Sequence, residues 1–117
     1  MRLSKLVRAV LGGDLLQARQ WVADAYRSEL SWERLELPEG LNECEMAVAA
    51  GLAELLATRV GAKPPAWTAA FGALREPVVL DPGLEEMPRS LDRARRTAPE
   101  PLRKRNLVAL PDFLAVA

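Results

Sequence analysis

No stretch limits the architecture as tightly as Leu41 to Thr68, LNECEMAVAAGLAELLATRVGAKPPAWT, the longest apolar run that carries its own start and stop signals. Asn42 is placed to accept a backbone N–H at a helix N-cap, and Glu45, three residues on, completes the capping-box spacing. Gly61 supplies a residue tolerant of positive φ, Arg59 falls in the last turn, and Pro64-Pro65 forbids continuation. The spacing therefore predicts one helix from Glu43 to about Val60. Val48, Leu52, Leu55 and Leu56 form one apolar stripe; Met46, Ala49, Ala50, Ala53, Ala57 and Val60 form another, broken within the helix by Glu54. A helix apolar on most of its circumference is buried, and its small residues let other backbones approach closely. Gly51 costs about 1 kcal/mol of helix propensity against Ala, which a close crossing at that point would explain.

A chain of 117 residues supports one domain with a true core. Sixteen basic and sixteen acidic residues cancel, so net charge alone points to no polyanionic partner. The longest uninterrupted apolar run, Met46 to Ala53, is far shorter than the ~20 residues that span a bilayer. Lys5 and Arg8 interrupt the first apolar piece at helical spacing, which suits an amphipathic helix better than a signal peptide. The single cysteine, Cys44, allows no internal disulfide and fits a reducing cytoplasm. Arginine outnumbers lysine thirteen to three in a chain rich in Ala, Leu and Pro, a usage typical of GC-rich bacterial genomes.

Leu3, Leu6, Val7, Val10 and Leu11 make a helical face opposite Arg2, Lys5 and Arg8, and Gly12-Gly13 ends it. Asp14 caps a second helix to about Glu29, with Leu15, Ala18, Val22, Ala25 and Tyr26 on one side; the short glycine linker favours an antiparallel pair. Ser31 opens a turn holding Trp32 and Leu35, closed by Pro38-Glu39-Gly40. Past the central helix, Trp67, Ala70, Phe71 and Leu74 predict a short helix from Pro65 to Leu74. Val78 to Leu80, before the turn signature Asp81-Pro82-Gly83, is the best strand, and Leu107 to Leu110 after Asn106 is a second; the two can pair. Pro88 starts a helix to about Thr97, Pro99 and Pro101 flank a brief turn carrying Leu102, and Phe113 packs inward. Core is the better reading for Trp21, Trp32 and Trp67, although Trp21 falls beside Gln17 and Asp24 at the edge of its face.

The chemistry is bounded mainly by exclusion. The chain contains no histidine, which removes the usual general base, the commonest zinc ligand and every histidine-dependent triad. Neither standard phosphate-loop spacing occurs. Cys44 lies at a helix start but between Glu43 and Glu45, whose charge opposes a thiolate, so it reads as an inert thiol. Glu85-Glu86 and Glu43-x-Glu45 lack the spacing of an acid/base pair.

Charge distribution says more than its total. Between Glu29 and Glu54 seven acids face one base, Arg34, a local balance of −6. Between Pro88 and Arg105, seven bases (Arg89, Arg93, Arg95, Arg96, Arg103, Lys104 and Arg105) stand against Asp92 and Glu100, a balance of +5. The basic segment either meets the acidic one within the fold or lies as a solvated face, or it binds an acidic protein, or it binds nucleic acid. Against the last, it has no interleaved aromatic for stacking and no helix-turn-helix pattern of base-reading residues.

Four features together resemble a family of small uncharacterised bacterial proteins: ARQWVADAYR at 18 to 27, the spacing of Trp32, Pro38, Gly40 and Leu41, GLAELLATRVGAKPPAWT at 51 to 68, and APEPLRKRNLVALPDFL at 98 to 114. Similar segments follow helix-turn-helix domains in antitoxin-like regulators encoded beside nucleotidyltransferase-type toxins. The resemblance covers the chain from about residue 14, through structural anchors and not catalytic signatures. It implies the partner-binding part of such a system standing alone, since the length leaves no room for a separate DNA-binding domain, and it carries no functional residues over. The toxin role does not fit: the Gly-Ser with spaced aspartates of a nucleotidyltransferase and the Arg-x4-His of helical ribonuclease toxins are both missing.

The sequence thus predicts a mainly α, compact single-domain helical bundle of five or six helices over residues 1–117, with a small two-stranded ribbon. The function expected is that of a non-enzymatic, cytoplasmic protein-binding module, antitoxin-like or accessory, with no cofactor, no metal and no membrane contact. Its partner is a protein such as a toxin, or a second copy of the chain. The partner-binding residues are Arg89, Arg93, Arg95, Arg96, Arg103, Lys104 and Arg105. The alternative is sequence-independent nucleic-acid binding through the same segment.

Overall fold

The computed structural model describes residues 2–115. Among them are five α-helices, α1 (Leu3–Leu11), α2 (Leu15–Arg27), α3 (Glu43–Arg59), α4 (Pro88–Thr97) and α5 (Glu100–Arg103), and two short strands, β1 (Val78–Val79) and β2 (Leu107–Val108). Single 3₁₀ turns occupy Trp32–Arg34, Ala66–Ala70 and Leu84–Glu86. The fold is mainly helical with a small two-stranded sheet, as the sequence pattern predicts.

Helix α3 is the axis. The capping box at its start is complete: Glu45 N–H donates to Asn42 Oδ1 at 2.8 Å, and Asn42 N–H donates to Glu45 Oε1 at 3.0 Å. Every residue from Met46 to Ala53 is buried, as are Leu55, Leu56 and Ala57. Val60, placed by the sequence pattern on an apolar stripe, instead sits just past the last turn and is half exposed. At Gly51 an added Cβ would lie 3.0 Å from Leu107 Cδ1 and 3.1 Å from Leu102 Cδ2, so the missing side chain is what lets α5 and β2 close on α3.

Helices α1 and α2 pack beside α3. Leu3, Leu6, Val7 and Val10 are buried, while Leu11 is partly exposed. Gly13, at φ 80, makes the turn, and Asp14 Oδ1 accepts from Gln17 N–H to cap α2. Tyr26 meets Trp32 edge to face at 5.6 Å and donates its hydroxyl to the Leu56 carbonyl at 3.1 Å, tying α2 to α3. Of the tryptophans, Trp32 is fully buried; Trp21 and Trp67 pack at the core's edge.

The helix expected from Pro65 to Leu74 is shorter and tighter than predicted, a 3₁₀ turn over Ala66–Ala70 with Thr68 as its buried residue. The reason is long-range: the Thr68 and Phe71 carbonyls accept from the Arg105 guanidinium, and Leu74 N–H donates to the Arg105 carbonyl. These groups serve a tertiary contact in place of an α-helical ladder. The strands pair parallel, with Val78 opposite Leu107 and Val79 opposite Val108. The intervening α4 and α5 supply the crossover that a parallel pair requires. Alternation along the strands then splits the sheet's faces: Val78 and Leu107 join the main core, while Val79 and Val108 form a smaller cluster with Leu84, Leu91, Ala94 and Leu110 under α4. Helix α4 is thereby mounted on the far side of the sheet from α3.

The C-terminal segment is tied down by Arg59, which donates to the Phe113 carbonyl at 2.6 Å and the Pro111 carbonyl at 3.1 Å. Phe113 is buried as expected. Leu114 adopts φ 56, a left-handed conformation that costs a leucine about 1–2 kcal/mol, held in place by full burial of its side chain.

Candidate partner-binding surface

Helix α4 begins with Pro88 at its first position, where no N–H is needed, and anchors itself through the buried Ala94 and half-buried Leu91. With that side fixed on the sheet, Arg89, Arg93 and Arg96, at i, i+4 and i+7, share the outward face and are exposed. Arg95, Arg103 and Lys104 are exposed as well. Arg96 pairs with Asp92 at 3.1 Å, an exposed i,i+4 contact that holds little energy. Arg103 Nη1 donates to the Arg96 carbonyl at 3.2 Å and answers an orphan acceptor at the end of α4. Arg89, Arg93 and Arg95 have no ion-pair partner among the described residues.

Arg105 does not belong to this surface. Its side chain is 1% exposed, and every nitrogen of its guanidinium donates inside the protein. Nε donates to the Phe71 carbonyl at 2.9 Å, Nη1 to the Pro101 carbonyl at 2.7 Å, and Nη2 to both Thr68 O at 2.9 Å and Glu54 Oε1 at 3.0 Å. Adjacency in sequence to Arg103 and Lys104 suggests one basic cluster, but the end of α5 turns Arg105 inward. Asn106, in the left-handed region at φ 64, then directs the chain into β2 while its Nδ2 donates to the Leu74 carbonyl. The sequence does hold a signal for this buried cation: Glu54 is the one acid inside an otherwise apolar helix, and a buried carboxylate needs a counter-charge. Which of thirteen arginines supplies it is not written locally.

Glu54 is where the acidic and basic segments meet. It accepts from Lys104 Nζ at 2.8 Å as well as from Arg105. Burial pushes its carboxyl pKa up, but hydrogen bonds from Lys104 and Arg105 outweigh that and hold it below the ordinary value of 4.5. Elsewhere the two segments stay apart: Glu29, Glu33, Glu36, Glu39 and Glu43 are exposed, and none is ion-paired to α4 or α5. The surface is therefore bipolar, a basic α4–α5 face on one segment and an acidic stretch on another.

Among the described residues no group of three or more Cys, Asp or Glu side chains is placed to hold a metal ion. Cys44 is half buried and lines an open recess with Glu43, Leu74, Arg75, Glu76 and Val78. No described helix is long and apolar enough to cross a membrane. No family model matches the chain, and neither curated proteins nor solved structures include a significant match.

Proposed function

We propose that the protein is a non-enzymatic binding module that engages an acidic protein through the basic face of α4 and α5, as an antitoxin-like or accessory protein would. The observation that carries this reading is the mounting of α4. One side is fixed by Ala94 and Leu91 on the sheet, while Arg89, Arg93 and Arg95 stand exposed without a counter-ion among the described residues. The unmatched charges steer an acidic partner and fix its orientation. Nucleic acid is the competing occupant, and the chemistry of the face disfavours it: Asp92 interrupts the arginines, and the segment from Pro88 to Arg105 holds no aromatic side chain on which a base could stack.

The test is charge reversal on the outward face alone. Arg89→Glu, Arg93→Glu and Arg96→Glu together should abolish capture of the partner from a lysate of the native host and lower the melting temperature by only a few degrees, through the lost Arg96–Asp92 pair. Undiminished capture would remove the reading. Binding to a plain oligonucleotide that falls steeply between low and moderate salt would move the assignment to nucleic acid.

A further inference from the structure

Between the end of α4 and the start of β2 lies a pocket of about 160 Å³ lined by Pro77, Arg95, Arg103, Asn106, Leu107 and Val108. Two of its six lining residues are arginines and none is acidic. Arg103 is held at the rim by its bond to the Arg96 carbonyl, made by Nη1 and leaving the remaining N–H groups of the fork uncommitted. Arg95 makes no side-chain hydrogen bond or ion pair among the described residues. Two cations beside one concavity repel each other unless an anion enters, and the partly apolar walls strengthen the attraction to it.

We propose that this pocket is an oxyanion subsite that takes the carboxylate of an acidic side chain from a peptide or protein partner. The proposal rests on the reading of the basic face as protein-binding and names its anchor point. A planar carboxylate matches guanidinium forks in bidentate geometry. The pocket's size suits one such group on a short stem. A nucleic-acid strand would need a track of phosphate contacts with stacking platforms; this is a single recess, and no aromatic side chain lines it.

The experiment is a ¹⁵N–¹H NMR titration of the full chain with acetylated hexaglutamate, and separately with a twelve-residue oligothymidine. The expected result is saturable shifts centred on Asn106 to Val108 and on the Nε–H signals of Arg95 and Arg103. Arg95→Gln and Arg103→Gln should each weaken the peptide about tenfold, whereas Arg19→Gln, at an exposed arginine of α2 outside the basic face, should leave it unchanged. Arg95→Gln breaks no side-chain hydrogen bond or ion pair among the described residues, so it carries the test if Arg103→Gln disturbs α4. Shifts that spread along α4 without saturating, an unchanged affinity in Arg95→Gln, or tighter binding of oligothymidine at the same signals would each overturn the proposal. Its failure alongside loss of partner capture in the Arg89, Arg93 and Arg96 reversal would reject the pocket and leave the protein-binding face standing.

Discussion

At the scale of single residues, the Glu54–Arg105 pair decides how this fold is held together. Arg105 uses four N–H bonds to join α3, the 3₁₀ turn at Ala66–Ala70, the loop after it and α5. Without the guanidinium, the Phe71, Pro101 and Thr68 carbonyls lose a buried donor, at about 1–3 kcal/mol for a group left unsatisfied, while Glu54 keeps Lys104. Arg105→Met should therefore lower unfolding free energy by about 3 kcal/mol or more in a urea titration, and adding Glu54→Leu should recover little of it, because the carbonyls stay without their donor. If the single variant were as stable as the parent, the pair would have no structural role. The same carboxyl sets an acid limb. Its pKa is lowered on folding, so its contribution is fully present above the unfolded value of 4.5 and is lost as pH falls through the folded value. Stability measured from pH 6 down to pH 2 should decline below pH 4.5, and Glu54→Gln should flatten part of that decline while lowering stability at neutral pH. A variant with the parent's acid limb would place the titrating group elsewhere.

At the scale of elements, locally signalled features were legible. Asn42 with Glu45, Asp14, the Gly12-Gly13 break and Pro88 each satisfy or remove backbone groups within a few residues, so caps and helix limits can be read without knowing the fold. Gly51 was legible as an anomaly, and the structure supplies its cause in Leu102 and Leu107. Gly51→Leu should overpack this crossing and destabilise by about 1–3 kcal/mol or more, measured by thermal or chemical denaturation; a neutral result would mean that α5 and β2 shift freely. What could not be read was non-local. The turn at Ala66–Ala70 resembled an α-helix because the spacing of Trp67, Ala70 and Phe71 is helical, and only an arginine 37 positions beyond Thr68 converts it. Strand direction was likewise hidden, since two dipeptide strands carry too few residues to encode whether the crossover makes them parallel.

At the scale of the whole molecule, a net charge of zero conceals a polarised surface. The sequence count placed seven bases in one segment, and the fold divides them by role. Arg105 is structural, Lys104 is tied to Glu54, and Arg89, Arg93, Arg95, Arg96 and Arg103 remain outside. The basic site was legible as a region because charge runs show in sequence, but its inner member was not, because burial depends on the turn after α5. The arginine face is unneeded for folding on this account, since Ala94, Leu91 and the sheet hold α4, and an ion pair as exposed as Arg96–Asp92 is worth at most about 1 kcal/mol. The most direct measurement is a tagged pull-down from the native host in nuclease-treated and untreated lysates, with bound proteins quantified by mass spectrometry. On the protein-binding reading, a stoichiometric protein survives nuclease and is released by the Arg89, Arg93 and Arg96 reversal. Capture that disappears with nuclease, or that persists unchanged in the reversed variant, would contradict it.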